Sequence, residues 1–361
     1  MAIAVLKHLG LSIVALGLVS GTAHANQKAT DIIEASVNGY INLAYRAFTK
    51  SAGEMDDRLV ALCATPSQAS LDAARDGFRD AADTFSYVEL VRFGPITKEN
   101  RLERLLFWPD RKGIGLKQVQ AAIAEKDEDA TDADKLSAKS VAMQGFGALE
   151  FVLFGTGSDD LSSAAGDYRC RFGEAIASNI AGMAGDVEAE WADPNGFAKD
   201  WAHPGPGSSY QTGTEAVTEL LEVFVNGLEL VRDVRTNGFL GEKPDGDRPK
   251  QAIYWRSQGT ANSLEMNMKG LRALFDASTL GDKLPEESRW IAQSIDFQLG
   301  EAANAAKAAA GVPIDQALAD PAKRGKLDYY RIVTSGLSDL FATRLAGEFG
   351  LTAGFSSLDG D

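Results

Sequence analysis

Histidine is nearly absent from this chain. The 361 residues carry three, and two of them, His8 and His24, fall in a leader-like N-terminal stretch. Only His203 is expected in the mature protein. A zinc site of the His-Glu-x-x-His kind needs two histidines one helical turn apart. A Ser-His-Asp or Cys-His arrangement would have to recruit His203. That residue lies in the turn-rich run Trp201-Ala-His-Pro-Gly-Pro-Gly207 and reads as a linker residue. Cysteine is equally scarce: Cys63 and Cys170 stand far apart without a Cys-x-x-Cys spacing, so nothing points to redox catalysis. Past the leader no stretch reaches the ~18 apolar residues that a membrane-spanning helix requires; even the alanine-rich 302–310 is interrupted by Lys307. Strand-like alternation of useful length is missing as well. Basic residues are outnumbered, 36 Lys and Arg against 51 Asp and Glu for a net charge of −15. The resulting field repels nucleic acid and anionic lipid, and leaves cations and basic partners open.

What is present is an ordinary globular balance, 45% hydrophobic and 24% charged residues, over a length sufficient for two domains. Residues 1–25 read as a secretory signal. Lys7 and His8 supply a positive start, Leu9 to Val19 an apolar core, and Ala23-His24-Ala25 a small-x-small cleavage site. The mature chain is expected to begin at Asn26 and to reside in the periplasm or cell envelope. In an exported chain an even cysteine count favours a disulfide, here Cys63–Cys170. The alternative is a pair of free buried thiols. The bridge would close a loop of about 100 residues, valued by chain entropy at up to ~4.7 kcal/mol.

The apolar spacing is helical throughout. It predicts helices over 28–50, 68–91, 97–106, 114–125, 135–155, 161–191, 213–237, 258–276, 285–310 and 323–349. Residues 197–212, rich in proline, glycine and serine, form the best domain boundary. The expected fold is therefore all-α, two tandem four-helix-bundle-like domains packed together: signal 1–25, first bundle 26–200, second bundle 201–361. The acidic loop Asp127-Glu-Asp-Ala-Thr-Asp132 has Asp132 where a twelve-residue calcium loop needs glycine, and reads as a solvated turn.

One stretch stands out for chemistry, Ser140-Val-Ala-Met-Gln-Gly-Phe-Gly-Ala-Leu-Glu-Phe-Val-Leu-Phe-Gly155. It is an apolar helical run with a single carboxylate, Glu150, on the same face as Phe146 and Gly147. Two glycines in a helix cost roughly 2 kcal/mol unless close packing or a ligand requires them. Arg92, in the helix stop Arg92-Phe-Gly-Pro95, either pairs with the helix carbonyls or reaches into a neighbouring site. Tyr254-Trp-Arg-Ser257 suits an enclosed polar pocket, with Arg256 a possible counter-charge for a buried Glu150. It equally suits plain interdomain packing, with Ser257 beginning the next helix.

Gly145-Phe-Gly147-Ala-Leu-Glu150 resembles the Gly-x-His-x-x-Glu motif of the imelysin family of exported, iron-regulated or peptidase-labelled bacterial proteins. Arg92-Phe-Gly-Pro95, Phe107-Trp-Pro-Asp110 and the ending Leu351-Thr-Ala-Gly-Phe-Ser-Ser-Leu-Asp-Gly360 are similar to further stretches of that family. Arg256-Ser257 resembles an Arg-Ser pair in its second half. The resemblance implies two helical bundles with a site between them. It gives Gly145, Gly147, Glu150, Arg92, Arg256 and Ser257 as candidate ligand-binding residues, and Glu150 as the remaining metal ligand for a divalent or iron cation. Where the motif has histidine this chain has Gly147, so the family's metal site cannot be carried over intact. The function expected from the resemblance is a non-enzymatic ligand- or metal-binding component of bacterial iron or metal acquisition, with a metal ion, a small ligand or an envelope protein as its partner. An imelysin-type peptidase, and a structural or adaptor protein with a degenerate site, are the alternatives.

Overall fold

Amphipathic spacing sets the helices, and their apolar faces set the bundles. A computed structural model describes residues 27–351; the signal-like stretch 1–25 and the ending beyond Leu351 lie outside the described residues. Those residues hold no strand. One long rod, α1 (27–64), joins its helical parts through a π turn at Val37–Ile41. It packs against α2 (Gln68–Val88) and, after α3 (Ile114–Glu125) and α4 (Phe146–Phe154), against α5 (Asp167–Ala192). Ser67 starts α2 as a capping box with Ser70, which satisfies two amide donors at once. Phe48, Phe78, Phe85 and Phe146 interlock at the centre of this first bundle, with centroids 5.1–6.2 Å apart.

The second bundle comprises α6 (Gly213–Glu229), α7 (Thr260–Ser278), α8 (Arg289–Ala309) and α9 (Pro321–Asp339). Phe224 and Phe341 stack at 4.4 Å in its core, with Phe275 edge-on. π turns at Leu230–Thr236 and Leu340–Leu345 extend α6 and α9. Cys63 and Cys170 form the expected disulfide, spanning 107 residues and tying the end of α1 to the start of α5.

The halves meet along α2 and α7, and the π turn of α1 also packs on α7. At Gly270 of α7 a Cβ would lie 1.9 Å from the Tyr87 carbonyl oxygen, so glycine is what lets α7 approach the end of α2.

One expectation is corrected. The central helix predicted over 135–155 is broken into Ala133–Ser137, Val141–Met143 and α4. The Gln144 side chain donates to the carbonyls of Ser137 and Lys139 and is itself held by Arg104, so side-chain bonds replace the helical ladder there. The proline- and glycine-rich 197–212 begins as a helix, Phe197–Ala202. Trp201 is fully buried, packs on Phe93 and donates its Nε1–H to the Ala216 carbonyl at 2.9 Å, an anchor worth more than the local turn preference.

Candidate functional site between the bundles

The break before α4 places the site. Gly145 is extended and forms the N-cap of α4, so it is not internal to a helix as the sequence suggested. A Cβ there would come within 2.2 Å of the carbonyl oxygens of Arg104 and Leu105. Its role is steric: it lets α4 start against the 104–105 backbone. Gly147, in the first turn, is exposed, and a Cβ there would meet only the Phe107 carbonyl oxygen, at 3.9 Å. Where the motif histidine belongs there is open, solvent-facing space.

One turn further, Glu150 is buried, 4% exposed. Its Oε1 accepts the backbone N–H of Ser257 at 2.9 Å and the Ser257 hydroxyl at 2.8 Å. These bonds run between halves, from the loop before α7 to α4. Burial pushes the Glu150 carboxyl up, while the Ser257 donors and the Arg256 charge pull it down. Arg256 stacks over Trp255 at 4.4 Å and lies 5.6 Å from the Phe151 ring. Burial lowers its own pKa and Glu150 offsets part of that.

The loop that presents these groups is strained. Tyr254 and Gln258 adopt positive φ, 53° and 63°, at a cost of roughly 1–2 kcal/mol each for residues with a Cβ. The Gly259 amide closes the loop on the Tyr254 carbonyl at 2.9 Å, and the Thr260 hydroxyl ties it to Ile253. Tyr254 is 3% exposed, edge-on to Phe78 and Phe146, and its hydroxyl has no hydrogen-bond partner among the described residues.

The structure thus brings Glu150, Arg256 and Ser257 together, with Gly147 one turn away, and leaves Arg92 out. Arg92 lies where α2 turns away; the charges acting on it are those of Glu89, Arg235 and Glu103. His203 sits at the surface, 3.6 Å from Glu34.

A buried polar network beside the loop escaped the sequence reading. Arg235 forks onto both carboxylate oxygens of Glu89, and Asn267 bridges them, accepting from Arg235 and donating to Glu89, each at 2.8 Å. Burial depresses the Arg235 guanidinium, yet Glu89 holds it above its ordinary value. The only signal was a lone charge in an apolar run, Tyr87-Val-Glu89-Leu-Val.

A metal is implied by the motif, and the donor set does not fit one. Oε1 of Glu150 is engaged by two Ser257 donors, Gly147 supplies no ligand atom, and a guanidinium stands close by. Among the described residues no group of three or more His, Cys, Asp or Glu converges; a tightly held transition metal needs such convergence.

Two helical bundles bridged by a buried carboxylate, with the exposed Gly147 one helical turn away, define a double-bundle protein. The chain belongs to the imelysin family, whose profile matches residues 41–339. It is 25% identical over 339 residues to "Iron-regulated protein A" of Synechococcus elongatus (strain ATCC 33912 / PCC 7942 / FACHB-805), covering 89% of this chain and 88% of the relative. In fold it is similar to an imelysin-like protein from Psychrobacter arcticum 273-4, with TM-score 0.74 and 19% identity over 91% of this chain and 98% of that one. It is also similar to a putative iron-regulated protein A precursor from Parabacteroides distasonis ATCC 8503, with TM-score 0.71 and 15% identity over 89% and 95%.

Proposed function

We propose that this chain is an exported, non-enzymatic ligand-binding component of bacterial iron or metal acquisition, and that its ligand is a small molecule seated at the interbundle seam. The observation that supports this reading most is the pairing of open space at Gly147 with the buried Glu150–Ser257 contact one turn below. A group entering over Gly147 approaches a carboxylate, a guanidinium and two aromatic rings, a mixed lining of the kind small-molecule sites use. The iron connection comes from the names of the relatives. Domain limits of 26–200 and 201–361 belong to the same proposal, as does a periplasmic address after loss of residues 1–25.

The test is native mass spectrometry and elemental analysis of the chain purified from periplasm without chelator. A co-purifying small molecule, lost in Glu150→Gln and in Gly147→Trp while the helical circular dichroism persists, is the expected result. A stoichiometric bare metal lost in Glu150→Gln would overturn the small-molecule reading, as would a chain that carries nothing in any form. Gly147→His restores the imidazole of the motif; zinc or copper binding that appears there and is lost again in Glu150→Gln would show that the family's site geometry survived the loss of its ligand.

A further inference from the structure

A cavity of about 200 Å³ opens between α2 and the loop before α7, lined in part by Phe78, Ala82, Asp83, Tyr254, Gln258 and Asn262. It shares Ser257 with the Glu150 site but is built on different side chains. The lining combines apolar groups, Phe78, Ala82 and the Tyr254 ring, with the Asp83 carboxylate. That carboxylate is under-used. It accepts a single long bond from Asn262, at 3.4 Å, and has no ion pair among the described residues. The cations nearby are already engaged: Lys269 bonds Glu265 at 2.6 Å. Arg79, which itself lines the cavity and is 40% exposed, bonds Asp76 at 2.8 Å and the Ser257 carbonyl at 3.2 Å. The two strained residues, Tyr254 and Gln258, both line this cavity, and strain of that kind gathers at ligand sites.

Charge decides the ligand class. Asp80 from α2 and Glu265 from α7 add negative potential around Asp83, and the whole chain carries −15, so a cation is drawn in and an anion repelled. A lone carboxylate is a poor metal site, yet with an apolar wall beside it the same group matches an alkylammonium ion. We propose that this cavity binds a small primary amine, its ammonium on Asp83 and the Asn262 carbonyl oxygen, its hydrocarbon part against Phe78 and Ala82. Burial, reinforced by Asp80 and Glu265 and opposed by Asn262 and Lys269, pushes the Asp83 carboxyl up to about 6. Affinity is therefore full at neutral pH and falls about tenfold per pH unit below about 6, as Asp83 protonates.

The experiment is calorimetric titration of the mature chain with n-propylamine near neutral pH, with n-propanol and propionate as shape-matched controls. Saturable binding of the amine alone is expected. It should weaken about tenfold or more in Asp83→Asn, recover in part in Asp83→Glu, and persist in Glu125→Gln, an exposed carboxylate on α3 that removes the same charge. The wild-type pH profile gives the same answer should Asp83→Asn fold poorly. Equal binding of propanol, undiminished binding to folded Asp83→Asn, a flat profile through pH 6, or no saturable heat would each overturn the proposal.

Discussion

The two motif glycines of α4 are chemically identical and physically opposite. Gly145 abuts two backbone carbonyls that no rotamer change can move aside. Gly145→Ala is expected to cost roughly 3 kcal/mol or more. Gly147 faces open space, so Gly147→Ala should be neutral or stabilise by up to ~1 kcal/mol through helix propensity. Urea unfolding of both variants checks the contrast; equal effects would mean that α4 does not start where described. Asp83 carries a prediction of its own. Its folded pKa, about 6, lies above the ordinary aspartate value of 3.8, so its charge costs stability above pH 6, and the cost is relieved as pH falls from about 6 toward 4. Without an amine, Asp83→Asn should therefore raise stability near neutral pH by ~1 kcal/mol, after allowance for screening, and change nothing near pH 4. Thermal melts at the two pH values read this directly.

At the scale of the element, most of the fold was legible. The residues predicted for α3 are those observed, and α2, α7 and α8 lie within a few residues of their expected ranges, because apolar residues at three- and four-residue spacing mark a buried face whatever it packs on. The break ahead of α4 was not legible. It depends on Gln144 being gripped by Arg104, and on Asn179 of α5 donating to the Gln144 carbonyl at 3.0 Å. Those partners stand 40 and 35 residues away in sequence, where local pattern gives no hint. The site divides in the same way. Glu150 announced itself as the one carboxylate in an apolar run, and Arg256-Ser257 as a polar pair beside two aromatics. Arg92 was placed with them on motif likeness, and the turn after α2 carries it elsewhere. Glu89 and Arg235 satisfy each other across 146 residues, so neither alone signals the pair.

At the scale of the molecule, that pair is a test of how the halves are joined. Glu89 follows α2, Arg235 lies in the π turn after α6, and Asn267 lies on α7, so the network spans the seam. Removing one partner strands the other without water, and Glu89→Gln or Arg235→Met is each expected to cost roughly 3–5 kcal/mol. The double variant should cost clearly less than the sum of the singles. Additive effects in a urea-monitored cycle would show that the two act independently. The rod α1 joins the halves by a second route. Its first turns reach the far bundle: Lys28 lies over the Phe349 ring at 5.0 Å, Tyr40 donates to the Tyr87 carbonyl beside α7, and a Cβ at Gly39 would touch Ala277 at 3.0 Å. A ribosome releases this segment early and its packing surface on α7 more than two hundred residues later. The first turns of α1 therefore wait, their apolar face uncovered, until α7 has been made, and an early segment is among the last to settle.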